Sequence, residues 1–330
     1  MNAALSHICI LIAIFSIAMY VLLDGSDLGV GILLLIARHG RERDDLIDSI
    51  APVWDGNETW LILAAIVLFG AFPLAYSILV PAFYIPFMAM LVALGFRGVS
   101  MEFRAHTPFV RFWDGAFSIG SAVAAFTQGL VAGALLSGDL TVSDGHFAGH
   151  TLDVFTGFNV LTGVTAVAAY ATLGASWLRW KTDARLQRYR LPVLRVAALT
   201  FLVLTVAACI FSVNIPTVAT MWHTHPIGMV LLGASSGAFW VAGFTALNTT
   251  SDIRPLLCNL AAVAVLLIGF VIVLWPYVVP FSLTFRDAMA APGSQLMVAV
   301  GALVLLPLVL GYNAFAYWVF RGKVGSSRRH

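Results

Sequence analysis

The chain reads as a succession of long apolar runs parted by short polar segments. Runs of about 20 apolar residues, the length that crosses a bilayer core as a helix, fall near 5–37, 58–80, 82–101, 113–136, 155–178, 194–215, 226–247, 256–280 and 295–320. The pattern predicts an all-α polytopic membrane protein with nine transmembrane helices. The first run would measure about 50 Å as one helix, so it must tilt, kink near Gly25 and Gly29, or extend past the bilayer. Residues 1–330 form a single membrane domain in this reading. It holds a first four-helix unit (1–136), a second (155–280) and a ninth helix (295–320), with the basic loop 179–195 between the units.

Composition agrees with a membrane solvent. The 330 residues are 60% apolar and 10% charged, against about 25% charged in a soluble domain. That is too little charge to cover a water-facing surface. The net charge of +2 gives no reason to expect nucleic acid. Cys9, Cys209 and Cys258 lie far apart in apolar runs without metal-type spacing, and read as buried small hydrophobes. The N-terminus lacks a basic leader, and its apolar run outlasts a signal segment, so it is expected to remain as the first helix.

Basic residues set an orientation. Arg38, Arg41 and Arg43 follow the first run; Arg97, Arg104 and Arg111 stand between the third and fourth. Arg179, Lys181, Arg185, Arg188, Arg190 and Arg195 lie between the fifth and sixth. Arg254 follows the seventh, and Arg321, Lys323, Arg328 and Arg329 follow the ninth. Only Arg286 falls on the other side, so 17 of 18 basic residues share one face. By the positive-inside rule that face is cytoplasmic, which puts the N-terminus outside and the C-terminus inside.

Six carboxylates lie in or against apolar runs: Asp24, Asp27, Asp55, Glu58, Glu102 and Asp114. A carboxylate deep in a span costs at least about 2.5 kcal/mol, and such groups usually face a bundle interior, a partner or a water path. Asp24 and Asp27 are three apart, as are Asp55 and Glu58, and each spacing puts two acids on one helix face. Two close carboxylates in a low dielectric can hold a proton between them. The predicted topology gathers all six, with Arg97 and Arg104, in the cytoplasmic half. Glu102 and Asp114 also read as helix-end charges paired with nearby arginines. Gly25 and Gly29 form a small-xxx-small face that lets another helix come close. His39, His106, His146, His150, His223, His225 and His330 lie in loops or termini, and His7 sits at the outer edge of the first run. A haem inside a bundle needs axial ligands from facing helices, so this chain is expected to bind none. His223 and His225 alone make a poor metal site.

Asp24-Gly-Ser-Asp-Leu-Gly-Val-Gly31, followed by Pro52-Val-Trp-Asp-Gly-Asn-Glu-Thr-Trp60, resembles subunit II of cytochrome bd-type quinol oxidases. The likeness continues through Phe83-Tyr84, Phe96-Arg97, Glu102-Phe-Arg104 and Trp113-Asp114, and the nine-span plan fits the remainder. Ser26 stands where the family commonly has an aromatic residue. The resemblance implies half of an enzyme that oxidises quinol and reduces oxygen to water without pumping protons. In that family a partner, subunit I, carries two b-type haems and a d-type or third b-type haem. Some complexes add a small accessory subunit, and some hold a structural quinone in subunit II. The enzyme sits among lipid and quinol in the bacterial cytoplasmic membrane. By resemblance, Asp24, Asp27, Asp55, Glu58 and Glu102 are candidates for a cytoplasmic proton path. Gly25, Gly29, Trp54 and Arg97 belong to the subunit interface and its motif, and Trp60 matches a tryptophan associated with an oxygen route. A proton-coupled secondary transporter is the competing reading from another class, because acids on one leaflet would serve it too.

Overall fold

The computed structural model describes residues 2–38, 40–138, 140–182, 184–248 and 252–324. His39, Arg328, Arg329 and His330 lie outside the described residues, as do the side chains of Arg185, Arg188 and Arg190. The chain is almost wholly helical: α1 (Asn2–Leu34), α2 (Arg41–Ile50), α3 (Trp54–Ala71), α4 (Pro73–Ala82), α5 (Tyr84–Arg104), α6 (Val110–Ser137), α7 (Gly157–Lys181), α8 (Ala184–Ser212), α9 (Pro216–Thr224), α10 (Pro226–Thr245), α11 (Arg254–Leu274) and α12 (Pro292–Val319). Two small antiparallel hairpins interrupt it, Val142–Ser143 with His146–Phe147 and Tyr277–Val279 with Leu283–Thr284.

Among the described residues, eight helices are long and apolar enough to cross a membrane: α1, α5, α6, α7, α8, α10, α11 and α12. The fold is that of an all-α polytopic membrane protein. The 18 residues of α3 open on Asp55, Asn57 and Glu58, and this helix is not among the eight. The run expected over 58–80 is divided. Pro73 disfavours helical backbone at Phe72, which sits at φ −131°, ψ 58°, and Pro73 then opens α4. Proline likewise stands in the first turn of α9, α10, α11 and α12, where its missing N–H costs nothing. α1 continues unbroken through Gly25 and Gly29.

α1 is the central helix, packed on α3, α6, α7 and α12. Its closest neighbour is α7. A Cβ added at Gly29 would stand 1.8 Å from the Tyr170 carbonyl oxygen, and one at Gly174 would stand 2.2 Å from the Gly29 carbonyl carbon. Two sets of contacts follow one order: α1 packs on α3 and α6, and α5 on α6, while α7 packs on α8 and α11, and α10 on α11; α6 packed on α7 joins the two sets. α2 seals one end of the bundle with Leu46, Ile47 and Ile50, which join Val30, Leu33, Leu34 and Phe117 in one apolar cluster. Large apolar side chains stay exposed on the outer helices, among them Ile227 at 76% and Met297 at 79%. Such a surface suits lipid and not water.

Candidate functional site

The interior of this apolar bundle holds a cluster of charge. Asp24 on α1 and Arg97 on α5 are both fully buried, and the guanidinium grips both carboxylate oxygens: Nη2 donates to Oδ1 at 2.7 Å and Nη1 to Oδ2 at 3.2 Å. A two-pronged fork of this kind supplies charge and direction together. Trp54 and Phe117 flank the guanidinium carbon at 6.0 and 5.8 Å from their ring centres. Glu58 on α3 brings Oε2 to 3.9 Å from Arg97 Nη1 and remains 24% exposed. Asp27 lies seven residues before the end of α1, and Arg97 seven before the end of α5. Along α1 and α5 these residues therefore sit about 10 Å inside the helix ends, while Glu58 lies in the second turn of α3.

Asp27 has a different partner. It is fully buried, and its Oδ2 accepts from Asn57 Nδ2 at 2.7 Å. The same amide meets the Tyr317 hydroxyl of α12, 3.0 Å from Nδ2 and 3.3 Å from Oδ1. On the other side of Asp24, one turn away on α1, Tyr20 accepts from Gln128 Nε2 at 3.0 Å, and Tyr170 donates to Gln128 Oε1 at 2.6 Å. The two aspartates of α1 are thus held directly by α3 and α5, and α12 joins through Tyr317 on Asn57. The spacing that suggested a proton shared between Asp24 and Asp27 leads elsewhere, because Asp24 is committed to Arg97 through both oxygens while Asp27 faces a neutral amide.

The other residues singled out in the sequence are dispersed. Asp55 is exposed in the first turn of α3, and Glu102 is exposed in the last turn of α5. Trp60 is fully buried and meets Phe15 edge-on at 5.7 Å. The Gly25 and Gly29 face, read from the sequence as part of a subunit interface, is covered within this chain. Gly25 lies under Tyr170 and Leu173, and Gly29 under the α7 backbone. Arg97 is likewise enclosed by its own chain. Asp114 forms a separate clamp at the bundle end, accepting from Arg104 Nε at 2.6 Å and Arg43 Nη1 at 2.9 Å; Arg104 also binds Asp44 at 2.7 Å. This ties α2 to α5 and α6, and it matches the reading of Asp114 as a paired helix-end charge.

Asn57 and Tyr317 escaped the sequence reading. Asn57 lies inside the quoted Trp-Asp-Gly-Asn-Glu run, so its signal was present. Tyr317 sits near the end of an apolar run, where an aromatic residue ordinarily marks the lipid–water boundary.

Together the fold and the cluster define an integral membrane protein with guanidinium-bound and amide-bound carboxylates buried near one end of its helices. The sequence model of the family described as "Cytochrome bd terminal oxidase subunit II" matches residues 5–320, and the chain belongs to that family. It is 30% identical to "Cytochrome bd-I ubiquinol oxidase subunit 2" of Escherichia coli K12, over 91% of this chain and 90% of that one. It is 28% identical to "Cytochrome bd ubiquinol oxidase subunit 2" of Bacillus subtilis, over 96% and 95%. Its fold resembles a chain in the structure of bd oxidase from Geobacillus thermodenitrificans, with TM-score 0.75, 17% identity, and coverage of 96% and 98%. The chain is accordingly a subunit of a bd-type quinol oxidase, working with subunit I in a haem-containing complex. Family membership displaces the transporter reading. Among the described histidines, His7 lies in the second turn of α1 against Phe285, His106, His223 and His225 stand at helix ends, His146 in a hairpin and His150 in the segment before α7.

Proposed function

We propose that this chain is the subunit of the oxidase that binds no haem, packs beside the haem-bearing subunit I, and passes protons inward from the cytoplasm through Asp27. The haems of subunit I, two b-type with a d-type or third b-type, supply the oxygen-reducing chemistry and consume those protons. Asp27 carries the reading: it is fully buried about 10 Å inside the helix ends, and its carboxylate leans on an amide instead of a cation. Exposed Asp55 stands at the mouth, Glu58 lies one turn deeper, and Arg97 holds Asp24 so that the cluster's charge stays nearly balanced. Glu102, exposed and apart from the cluster, serves at most to gather protons at the surface. Trp60 belongs to the proposed oxygen route through its burial between α1 and α3, and Trp54 to the motif that supports Arg97. A structural quinone and a small accessory subunit are further components that the family resemblance allows.

The site should separate into two kinds of acid. Asp27→Asn keeps shape and hydrogen bonding but removes the exchangeable proton, and quinol-driven oxygen consumption should fall severalfold or more with haem content near wild type. Asp55→Asn should lower turnover less, because water at the mouth can replace an exposed carboxyl. Measuring haem and oxygen uptake on the same preparation tests both. Unchanged turnover in Asp27→Asn would remove the proposed path.

The proposed arrangement has nine spans in two four-helix units and a ninth helix, with the N-terminus outside the bacterial cytoplasmic membrane. The repeated packing order supports the two units. The 18 residues of α3, about 27 Å as a helix, support a ninth crossing whose polar first turn meets the cytoplasmic interface. Cysteines placed at positions 145 and 185 should label from opposite sides of sealed vesicles, 185 from the cytoplasmic side. Labelling of both from one side would exclude the nine-span arrangement.

A further inference from the structure

A buried carboxyl that gains and loses a proton meets a matching problem. Ionised, it needs donors; protonated, its hydroxyl needs an acceptor, and a fixed neighbour supplies only one of these. Around Asp27 the facing polar groups are few. Asp24 is on its own helix, Arg97 of α5 is bound to Asp24, and Glu58 of α3 lies by Arg97. From α6 and α7, Gln128 and Tyr170 are joined to each other and, through Gln128, to Tyr20. What touches Asp27 is Asn57, and behind Asn57 stands Tyr317, its ring held edge-on by Trp177 at 5.8 Å.

Both halves of the Asn57 amide lie within hydrogen-bond reach of the Tyr317 hydroxyl, at 3.0 Å from Nδ2 and 3.3 Å from Oδ1. We infer that Asn57 and Tyr317 act as a reversible pair that gives the Oδ2 edge of Asp27 a matching hydrogen-bond partner in both protonation states, a positioning role that rests on the proposed passage of protons through Asp27. With Asp27 ionised, Nδ2 donates to the carboxylate and Tyr317 donates to Oδ1. With Asp27 protonated, the amide turns over: the acid O–H donates to Oδ1, and Nδ2 donates to a Tyr317 hydroxyl that now accepts. An amide offers a donor and an acceptor on opposite sides, and a hydroxyl serves as either. The exchange therefore needs no backbone movement. Asn57 and Tyr317 neither gain nor lose a proton; the only proton transferred is the one that arrives on Asp27 and leaves it. This gives α12 a part in a site otherwise built by α1, α3 and α5.

Infrared difference spectroscopy of the intact oxidase, carrying ring-deuterated tyrosine, tests the pair across a pH titration. The C–O stretch of tyrosine reports whether its hydroxyl donates or accepts. A carboxyl band lost in Asp27→Asn should titrate, and a tyrosine band lost in Tyr317→Phe should move in step with it. Turnover of Tyr317→Phe should fall roughly threefold to tenfold, the effect of one neutral hydrogen bond, with haem retained. A tyrosine band that stays still while the Asp27 carboxyl titrates would overturn the pair and leave Asp27 as carrier. Absence of any carboxyl band sensitive to Asp27→Asn would instead overturn the carrier, and the pair with it. Where Tyr317→Phe assembles poorly, Asp27→Asn still assigns the carboxyl band, and a wild-type titration in which no band sensitive to ring deuteration moves with it overturns the pair.

Discussion

Gly29→Ala should abolish assembly of the subunit. The added methyl carbon would lie 1.8 Å from the Tyr170 carbonyl oxygen and 2.7 Å from the Gly174 amide nitrogen. Both are backbone atoms of α7, so no side chain can rotate away. Relief requires α1 and α7 to separate along their shared seam. Overpacking a core costs about 1–3 kcal/mol when side chains can adjust; here the cost should exceed that range. Gly174→Ala meets the same seam from the other side and should behave alike. Gly95→Ala on α5 is the control, because nothing lies within 4 Å of its added carbon, and alanine there should be neutral or mildly stabilising. The yield of detergent-extracted complex and its thermal midpoint check all three. Wild-type yield of Gly29→Ala would mean that α1 and α7 do not meet as closely as described.

The seam illustrates what the sequence made legible and what it left hidden. Apolar runs gave the long helices because membrane length is a local property. Two glycines four residues apart announced a close approach, but not which helix would make it; the partner, Gly174, is 145 residues away. Pro73 carried a readable signal for the break in the second run, yet hydropathy averaged over it. The short helices α2 and α9 lay below the length that such a scan detects. Within the cluster, Asp24 and Arg97 were both visible as charges in apolar surroundings, while their pairing depends on how α1 and α5 pack. Asp55 looked equivalent to Glu58. Depth decides otherwise: Asp55 stands exposed in the first turn of α3, while Glu58, one turn further in on the same face, comes to 3.9 Å from Arg97. The amide and the tyrosine at Asp27 carry no charge to draw attention, and 260 residues separate them.

The second large effect belongs to the buried ion pair. Asp24→Asn should destabilise the subunit by about 3–5 kcal/mol, because removing one partner of a buried pair strands the other charge. Arg97 would retain only Glu58, at 3.9 Å and partly exposed, and its fork would lose the acceptor that both Nη atoms now use. Trp54 and Phe117 beside the guanidinium offer ring faces but no carboxylate. Haem content and turnover should therefore fall together, as the haem-bearing partner loses its companion. This distinguishes Asp24 from Asp27, whose asparagine variant should keep haem while losing turnover. The pair variant Asp24→Asn with Arg97→Leu or Arg97→Met tests the cause: removing both charges should recover much of the assembly lost in Asp24→Asn alone, since apolar replacements for a buried pair are often neutral or better. Arg97→Lys with Asp24 kept should lose part of the assembly, because an ammonium cannot reproduce the two-pronged grip at 2.7 and 3.2 Å. If Asp24→Asn keeps full haem and loses only turnover, the balance of roles shifts, and Asp24 joins Asp27 as a carrier of protons instead of a fixed counter-charge.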